Sequence, residues 1–235
     1  MRATVCLPTY DERANIEPML RALQEVLRDD DRVLVIDDNS PDGTGRAADE
    51  LAAELGFVSV LHRPRKEGLG PAYLDGFRRA LDDGAELVLE MDCDFSHDPA
   101  DVPRLIAAVE DGADLAIGSR YVPGGGVGNW GLVRRAISRG GSLYTELFLR
   151  MGVKDPTGGF KCFRRRVLET LDLDAITSKG YAFQIETTYR AKRAGFSVAE
   201  VPITFDDRTH GQSKMSRRIV LEAIWRVPLL RLGRA

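Results

Sequence analysis

Short apolar runs alternate with longer segments of helical apolar spacing through the first half of the chain. Five runs, at residues 3–7, 33–37, 58–62, 87–91 and 115–118, are typical of buried strands. Four segments between them, at residues 15–28, 44–55, 71–81 and 99–110, begin near Asn, Asp, Gly or Pro, which predicts helices. This alternation predicts an α/β, Rossmann-like, mostly parallel sheet flanked by helices. Ligands of such sheets bind beyond the carboxyl ends of the strands.

The pattern changes after Arg120. We expect a glycine-rich loop at residues 122–131, and long loops of this kind are often functional lids. An amphipathic helix from about residue 132 to 151, a turn or hairpin around 155–163, a helix near 183–194 and a strand at 198–205 follow. From Arg208 onward the chain holds seven basic residues and one acid, Glu222. We therefore divide it into a domain at residues 1–207 and a basic, amphipathic tail at residues 208–235.

The tail has the composition of a helix that lies on a membrane surface. Apolar residues at helical spacing are interleaved with arginines over residues 215–225, which favours anionic lipid. Pro228 predicts that this helix ends near Trp225 or Arg226 and that an irregular apolar end follows. Two alternatives stay open: the apolar face packs on the core, or a transmembrane anchoring subunit docks there. If the tail is not the anchor, the helix after Trp130 is the next candidate.

Composition excludes several classes of protein. With 235 residues, 43% apolar and 29% charged, the chain resembles an ordinary globular protein with a substantial core. A net charge of −3 gives no support to a nucleic-acid partner. Three scattered cysteines without a C-x-x-C pair favour a reducing compartment over a disulfide framework or zinc site. Neither a signal-like start nor a spanning apolar run is present, which predicts a soluble or peripheral protein.

Two acidic clusters directly follow predicted strands. One occupies residues 37–43, with Asp37, Asp38 and Asp42, and the other is Asp92-Cys93-Asp94. In a parallel sheet both clusters are expected to project into the same crevice. Crowded like charges are costly unless a cation offsets them, so the pattern predicts Mg²⁺ or Mn²⁺ with oxygen ligands. The alternative, that these acids only cap the following helices, is favoured for one such pair but not for two clusters.

The sequence does not match three other nucleotide- or metal-binding motifs. An EF-hand counted from Asp92 would need glycine where His97 stands and glutamate where Pro103 stands. The chain lacks a P-loop motif. Gly68 and Gly70 begin a dinucleotide fingerprint that Tyr73 breaks, so a turn before a helix is the better interpretation.

Basic residues form the complementary set. Arg120 follows a predicted strand, and Arg134 and Ser138 share one face of the helix after the glycine-rich loop. Arginines that converge on a crevice suit phosphate recognition. Arg135 and Arg139, by contrast, are expected to be solvated surface charges.

Taken in chain order, five motifs resemble the dolichyl/polyprenyl-phosphate mannosyltransferases of glycosyltransferase family 2, which have the GT-A fold. They are Val5 to Glu12 (VCLPTYDE), Asp37 to Thr44 (DDNSPDGT), Met91 to Asp94 (MDCD), Gly118 to Tyr121 (GSRY) and the stretch from Arg208 to Lys214. The second motif is far more specific than a D-x-D pair. Together the motifs cover nearly the whole chain.

The resemblance implies a role for each matching residue. Those expected to hold the donor are Pro8, Tyr10, Glu12, Asp38, Asp92, Asp94, Arg208 and Lys214. Within this set Asp38 pairs with the base, Tyr10 lies against it, and Arg208 and Lys214 belong to a closing loop. The metal ligands are Asp92, Asp94 and Ser96, the last standing where relatives often have Gln. The acceptor's phosphate meets Arg120, Arg134 and Ser138.

The implied reaction is inverting transfer of mannose from GDP-mannose to a polyprenyl or dolichyl phosphate at the cytoplasmic side of a membrane. Because a phosphate monoester is already ionised near neutral pH, no strong general base is required. Asp94, Arg120 and Arg208 are the expected catalytic residues. Two alternatives are a related transferase that uses UDP-glucose or another nucleotide sugar, and a nucleotide-binding module without activity.

Overall fold

A seven-stranded sheet forms the centre of this computed structural model, which describes residues 1–128, 130–178, 180–206 and 225–232. Its strands stand in the order β3-β2-β1-β4-β7-β5-β8, and β6 and β9 form a separate pair. The strands are β1 (Ala3–Thr9), β2 (Arg32–Asp37), β3 (Val58–His62), β4 (Leu87–Glu90), β5 (Leu115–Ser119), β6 (Gly126–Val127), β7 (Lys161–Arg164), β8 (Val198–Pro202) and β9 (Thr204–Phe205). Only β7 runs antiparallel to its neighbours in the large sheet. The mostly parallel sheet expected from the sequence is confirmed.

Helices cover both faces of this sheet. They are α1 (Ile16–Val26), α2 (Thr44–Leu55), α3 (Leu69–Asp82), α4 (Val102–Glu110), α5 (Leu132–Leu149), α6 (Arg165–Thr170) and α7 (Gly180–Arg193). Single 3₁₀ turns lie at Pro99–Asp101 and Leu173–Ala175. One core packs under α1, α2 and α4, and the other under α3, α6 and α7. Strands buried on both faces explain the continuous apolar runs in the sequence.

The predicted elements of the first half are confirmed within a few residues, whereas the second half needs three corrections. The glycine-rich loop at 122–131 contains β6, which pairs with β9. The predicted strand at 198–205 is two strands interrupted at buried Ile203. The predicted turn or hairpin around 155–163 is a turn at residues 156–157 followed by the single strand β7, which lies between β4 and β5. Its fully buried Lys161 donates hydrogen bonds to Gln184 and Thr187. Because this residue is charged, the apolar pattern of the sequence does not predict a central strand here.

The end of the chain was also predicted incorrectly. Residues 225–231 form a helix that continues through Pro228, because Val227 and Leu230 are buried in the core that packs under α3, α6 and α7. Arg226 donates a hydrogen bond to the Thr177 hydroxyl, 2.8 Å away. Residues 215–224 of the expected interfacial helix and the domain boundary at 207/208 lie outside the described residues. None of the helices that the structure describes is long and apolar enough to cross a membrane.

The contact between α3 and the start of α7 predicts a local sensitivity. A Cβ atom on Gly70 would lie 2.6 Å from the carbonyl oxygen of Ser178 and 3.1 Å from the Phe183 ring. Gly70→Ala should therefore lower the free energy of unfolding by about 1–3 kcal/mol, measured by urea denaturation. Gly140→Ala in α5 is the matched control: a Cβ there meets nothing within 4 Å, and helix propensity should raise stability by up to about 1 kcal/mol. Equal stability of the two variants would contradict the packing described here.

Candidate functional site

A cavity of about 340 Å³ opens where the carboxyl ends of β1 and β4 diverge. The chain runs from β1 to β2 and β3 on one side and then returns to β4 on the other, so this is the point where strand order reverses, the usual ligand position in open α/β sheets. The predicted site residues that line it are Pro8, Tyr10, Glu12, Asp38, Asp92, Asp94, Ser96, Arg120 and Arg134. Arg208 and Lys214 lie outside the described residues.

Asp38 stands at one end of the cavity and is buried against Arg63. The same guanidinium also donates to Asp75, at 2.7 Å, and to Glu67, at 3.0 Å. Burial raises the pKa of Asp38 above its ordinary value, although the pairing with Arg63 opposes this shift. Arg63 was missed in the sequence because the residue that it pairs with lies 25 positions away. It fixes the position of the carboxylate that was expected to meet the nucleobase.

Tyr10 and Glu12 are held near Asp38. The Lys66 ammonium lies 3.5 Å from the centre of the Tyr10 ring and lines the same cavity. Glu12 accepts a hydrogen bond from the Asn15 amide at 2.7 Å, and its backbone N–H donates to Thr44 at 3.0 Å. These contacts turn the segment after β1 toward the cavity.

The acidic cluster at 37–43 does not enter the cavity as a whole. Asp37 accepts hydrogen bonds from Ser40, and Asp42 accepts them from Thr44 and from the backbone N–H of Arg13. Successive side chains of a strand point in opposite directions, so Asp37 and Asp38 face different sides. Asp37 and Asp42 shape the turn that presents Asp38.

Asp92 and Asp94 line the cavity just after β4, which stands between β2 and β5 in the sheet. Asp94 is buried and accepts a hydrogen bond from the Ser96 backbone N–H at 3.0 Å. The Asp92 backbone N–H donates to Nδ1 of buried His97, whose ring stacks on Phe160. Burial lowers the pKa of His97 to about 4, so its imidazole is neutral at physiological pH. His97 thus orients the loop without adding positive charge beside the two carboxylates.

The donor set suits a hard divalent cation that is completed by substrate. Across the described part of the chain, no three His, Cys, Asp or Glu side chains come together as a metal cluster. Mg²⁺ is commonly held by one or two carboxylates together with substrate phosphates, which matches a wall that offers Asp92 and Asp94. The residues present therefore fit Mg²⁺ or Mn²⁺ bound together with a diphosphate.

Arg120 lines the cavity, is buried, and forms an ion pair with Asp155. Its Nε and Nη2 atoms donate to the two carboxylate oxygens of Asp155 at 2.7 and 2.6 Å, and Nη2 also donates to Thr157. The rings of Tyr121, Trp130 and Phe205 lie 5.3–5.8 Å from its guanidinium carbon. Burial disfavours the charge of Arg120, but the ion pair with Asp155 outweighs it and raises the pKa.

Arg134 and Ser138 both lie on α5, but Ser138 is not among the residues that line the cavity. Arg134 lines the cavity and stacks on the Trp130 ring, with 4.1 Å from its guanidinium carbon to the ring centre. Ser138 accepts a hydrogen bond from the Tyr121 hydroxyl at 2.7 Å. Because they are four residues apart in α5, the two lie on one face of the helix, as the sequence predicts.

Sequence reasoning missed several residues of this cavity. They are Lys66, His97, Trp130, Thr157, Tyr181, Gln184 and Phe205. Asp155 and Thr157 belong to an Asp-Pro-Thr-Gly-Gly run, whose turn signal predicts a turn or hairpin but no site residue. Their pairing with Arg120, more than thirty residues away, left no local pattern.

Known proteins resemble this chain over nearly its full length. The family model for glycosyl transferase family 2 matches residues 4–172. Polyprenol monophosphomannose synthase of Mycolicibacterium smegmatis is 50% identical over 96% of this chain and 85% of its own length. Undecaprenyl-phosphate mannosyltransferase of Micrococcus luteus is 49% identical over 95% of this chain and 91% of its own.

Solved structures support the fold. Glucosyl-3-phosphoglycerate synthase from Mycobacterium tuberculosis, in complex with Mn²⁺, UDP and glucosyl-3-phosphoglycerate, has a TM-score of 0.71 at 20% identity. The same enzyme with Mg²⁺ and UDP also has a TM-score of 0.71, at 21% identity. Each match covers 99% of this chain and 80% of the other.

The buried pair of Arg120 and Asp155 predicts a large stability effect. Asp155→Asn keeps the shape of the side chain but leaves the buried guanidinium without its counter-charge, so the free energy of unfolding should fall by about 3–5 kcal/mol. Asp174→Asn is the matched control, because Asp174 pairs with Arg78 on the surface and should contribute less than about 1 kcal/mol. Urea denaturation of both variants measures the difference. A loss of similar size in both would contradict the structural role given to Asp155.

Proposed function

The chain belongs to glycosyl transferase family 2, and on that basis we propose that it transfers mannose from GDP-mannose to a polyprenyl, dolichyl-type phosphate. The observation that carries the proposal is one cavity that holds two carboxylates between Tyr10 and Asp38 on one side and Arg120 and Arg134 on the other. A nucleoside would suit the first end, its diphosphate the two carboxylates with a cation, and a second phosphate the arginine end. The names of the two relatives at about half identity support mannose and a polyprenyl phosphate.

The donor's nucleoside would occupy the end formed by Pro8, Tyr10, Glu12 and Asp38. Guanine presents two neighbouring N–H donors on its Watson–Crick edge, and an ionised carboxylate accepts both. Arg63 holds the Asp38 carboxylate in place, which supports this pairing. Arg208 and Lys214 remain proposed donor contacts of a closing loop.

The diphosphate would meet Asp92 and Asp94, with Ser96 as the proposed third ligand of Mg²⁺ or Mn²⁺. A bound divalent cation supplies charge that stabilises a departing nucleotide diphosphate. Buried Asp94 is held by the Ser96 backbone N–H, so its carboxylate keeps one orientation. Rigid placement of this kind costs little reorganisation during reaction.

The acceptor's phosphate would approach from the side of Arg120, Arg134 and Ser138. A phosphate monoester has its second pKa near 6, so its oxygen attacks as an anion. The bond from this oxygen to the anomeric carbon forms while the bond to GDP breaks, in a single displacement that inverts α-linked donor to β-mannosyl product. The arginines bring one anion to another, and Asp94, Arg120 and Arg208 are the proposed catalytic residues.

The acceptor's lipid chain stays in a membrane. We therefore infer that the protein acts as a peripheral protein on the cytoplasmic side, reaching the bilayer directly or through a transmembrane anchoring subunit. Burial of all three free cysteines agrees with a reducing compartment but does not require one.

A transfer assay tests this function. GDP-mannose or UDP-glucose, each labelled in the sugar, is incubated with the protein, Mg²⁺ and mixed polyprenyl phosphates, and label is measured in the lipid phase. We expect lipid-soluble mannose, and its loss in excess EDTA. Preference for UDP-glucose would establish the related transferase instead. Nucleotide binding without transfer from either donor would indicate a binding module.

Arg134 provides a test of the acceptor end. A charge-assisted hydrogen bond to phosphate contributes about 1.5–3 kcal/mol, so Arg134→Ala should raise the KM for the acceptor about 10- to 100-fold. The KM for GDP-mannose should change little. A short, water-soluble prenyl phosphate serves as acceptor, which removes any effect of membrane binding. Arg135→Ala is the matched control, because Arg135 is exposed and donates to the Val127 carbonyl. Equal changes in both KM values would show that Arg134 has another role.

A further inference from the structure

Gln184 lines the cavity from α7, and its contact with Lys161 fixes the orientation of its amide. The residue is 2% exposed. Its Oε1 atom accepts a hydrogen bond from the Lys161 ammonium at 2.6 Å, and its main-chain oxygen accepts another at 2.8 Å. Burial lowers the pKa of Lys161 to about 8, although Glu90 opposes this shift, so the amine is protonated at neutral pH. Because an ammonium group only donates, the amide oxygen faces Lys161 and the amide nitrogen faces away from it.

The amide nitrogen of Gln184 has no such partner in the part of the chain that the structure describes. Nε2 is buried and makes no hydrogen bond there. Burial raises the pKa of Glu90 to about 7, and Lys161 and the Gln184 amide oppose this rise, so the Glu90 carboxyl lies near the amide. An amide nitrogen carries two N–H groups, so at least one is available to a ligand even if the other turns to Glu90. A buried donor that stays unpaired is costly, which favours a ligand with an acceptor atom.

The cavity wall near this nitrogen suits a ligand that presents oxygen atoms. A Cβ atom on Gly159 would lie 3.4 Å from Nε2 of Gln184, and Gly159 itself lines the cavity. Gly180 and Tyr181, in the first turn of α7, line it as well. The first turn of a helix has N–H groups without intrahelical acceptors and carries a partial positive charge. The amide and the amino end of α7 therefore favour the same kind of group.

The strand order places Gln184 between the two phosphate sites of the proposed reaction. Asp92 and Asp94 follow β4, Arg120 follows β5, and β7 stands between these two strands. Lys161 lies on β7 and holds the Gln184 side chain there. The departing diphosphate would meet the two carboxylates, and the attacking phosphate would meet the arginine. The sugar that is transferred has to lie between these phosphates, which is the position of Gln184 in the strand order.

We propose that Nε2 of Gln184 donates a hydrogen bond to a hydroxyl oxygen of the donor's sugar and so contributes to the choice of sugar. The position of the sugar rests on the proposed function, whereas the orientation of the amide rests on Lys161. A neutral amide suits a hydroxyl, while phosphate is better recognised by arginine. Lys161 polarises the amide through its oxygen, which strengthens the N–H groups as donors. A site that hydrogen-bonds a substrate hydroxyl selects against sugars that lack a hydroxyl in that position.

Calorimetric titration of GDP and of GDP-mannose, with Mg²⁺ and without acceptor, tests this contact. Gln184→Met keeps the length of the side chain and removes the amide, and Lys161 retains the main-chain oxygen of residue 184 and the Thr187 hydroxyl as acceptors. The variant should bind GDP-mannose about 5- to 100-fold more weakly and bind GDP within about twofold of the wild type. Thr188→Val is the matched control. Thr188 is buried on the same helix and does not line the cavity, so both affinities should stay unchanged.

A series of monodeoxy GDP-mannoses identifies the hydroxyl that the amide meets. For the wild type, removal of that hydroxyl should lower kcat/KM about 5- to 100-fold. Gln184→Met should show no further loss with the same analogue, because the contact is already absent. Gly159→Ala provides a second variant that leaves Lys161 and Gln184 intact. Its methyl group would lie against Nε2 and should weaken binding of GDP-mannose more than binding of GDP.

The outcomes separate the sugar from other ligands and from the proposed function. If Gln184→Met weakens GDP and GDP-mannose equally, or raises only the KM for the acceptor, the contact with sugar is rejected. It is also rejected if the loss with every deoxy analogue is the same in the wild type and in the variant. If the wild type shows the selective contact in binding but transfers no mannose, the contact stands and the proposed function fails. If mannose transfer and GDP-mannose affinity are unaffected by Gln184→Met, the contact fails and the function stands.

Discussion

Burial of charge at the carboxyl edge of the sheet is the constraint on which the site depends. A buried ion is tolerated only with a partner that compensates the loss of water. Two pairs meet this requirement here, Arg63 with Asp38 and Arg120 with Asp155. Asp38 follows β2 and Arg120 follows β5, and Asp92 and Asp94 follow β4, which stands between these two strands in the sheet. The ends of the cavity are fixed within the protein, while its middle suits a cation that arrives with a diphosphate.

The side chains at the two ends of the cavity are held in place in different ways. At the end formed by Tyr10 and Asp38, Arg63 also contacts Asp75 and Glu67, so Asp38 is held by a network. At the opposite end, Arg120 is held by Asp155, but Arg134 extends from α5 and stacks on Trp130. The inner wall is thus held by buried ion pairs, and the outer edge is formed by a helix that exposes its apolar side. Selectivity for the nucleotide and access for a lipid phosphate would then depend on different parts of the fold.

The sequence predicts the first half of the fold well because each parallel strand is an apolar run separated from the next by an amphipathic helix. Prediction fails where a buried residue looks polar or a helix contains proline. Lys161 hides β7, and Pro228 suggests an end to a helix that continues through residue 231. In both cases contacts with distant parts of the chain outweigh the local pattern.

For the site, too, the sequence predicts some residues and misses others. Residues in contiguous motifs, such as Tyr10, Asp38 and Asp94, were found from the sequence and do line one cavity. Their supports were not found, because Arg63 and Asp155 act through partners 25 and 35 residues away. The sequence motifs indicate which groups line the cavity, but they do not indicate which groups hold them in place.

Calorimetric titration of GDP with and without a divalent cation tests the central claim most directly. If Asp92 and Asp94 hold the cation only together with the diphosphate, GDP should bind at least about tenfold more tightly in Mn²⁺ than in EDTA. Mn²⁺ alone should bind weakly, and Asp94→Asn should remove the dependence of GDP binding on Mn²⁺. Equally tight GDP binding in EDTA would contradict the account, as would tight binding of Mn²⁺ without nucleotide.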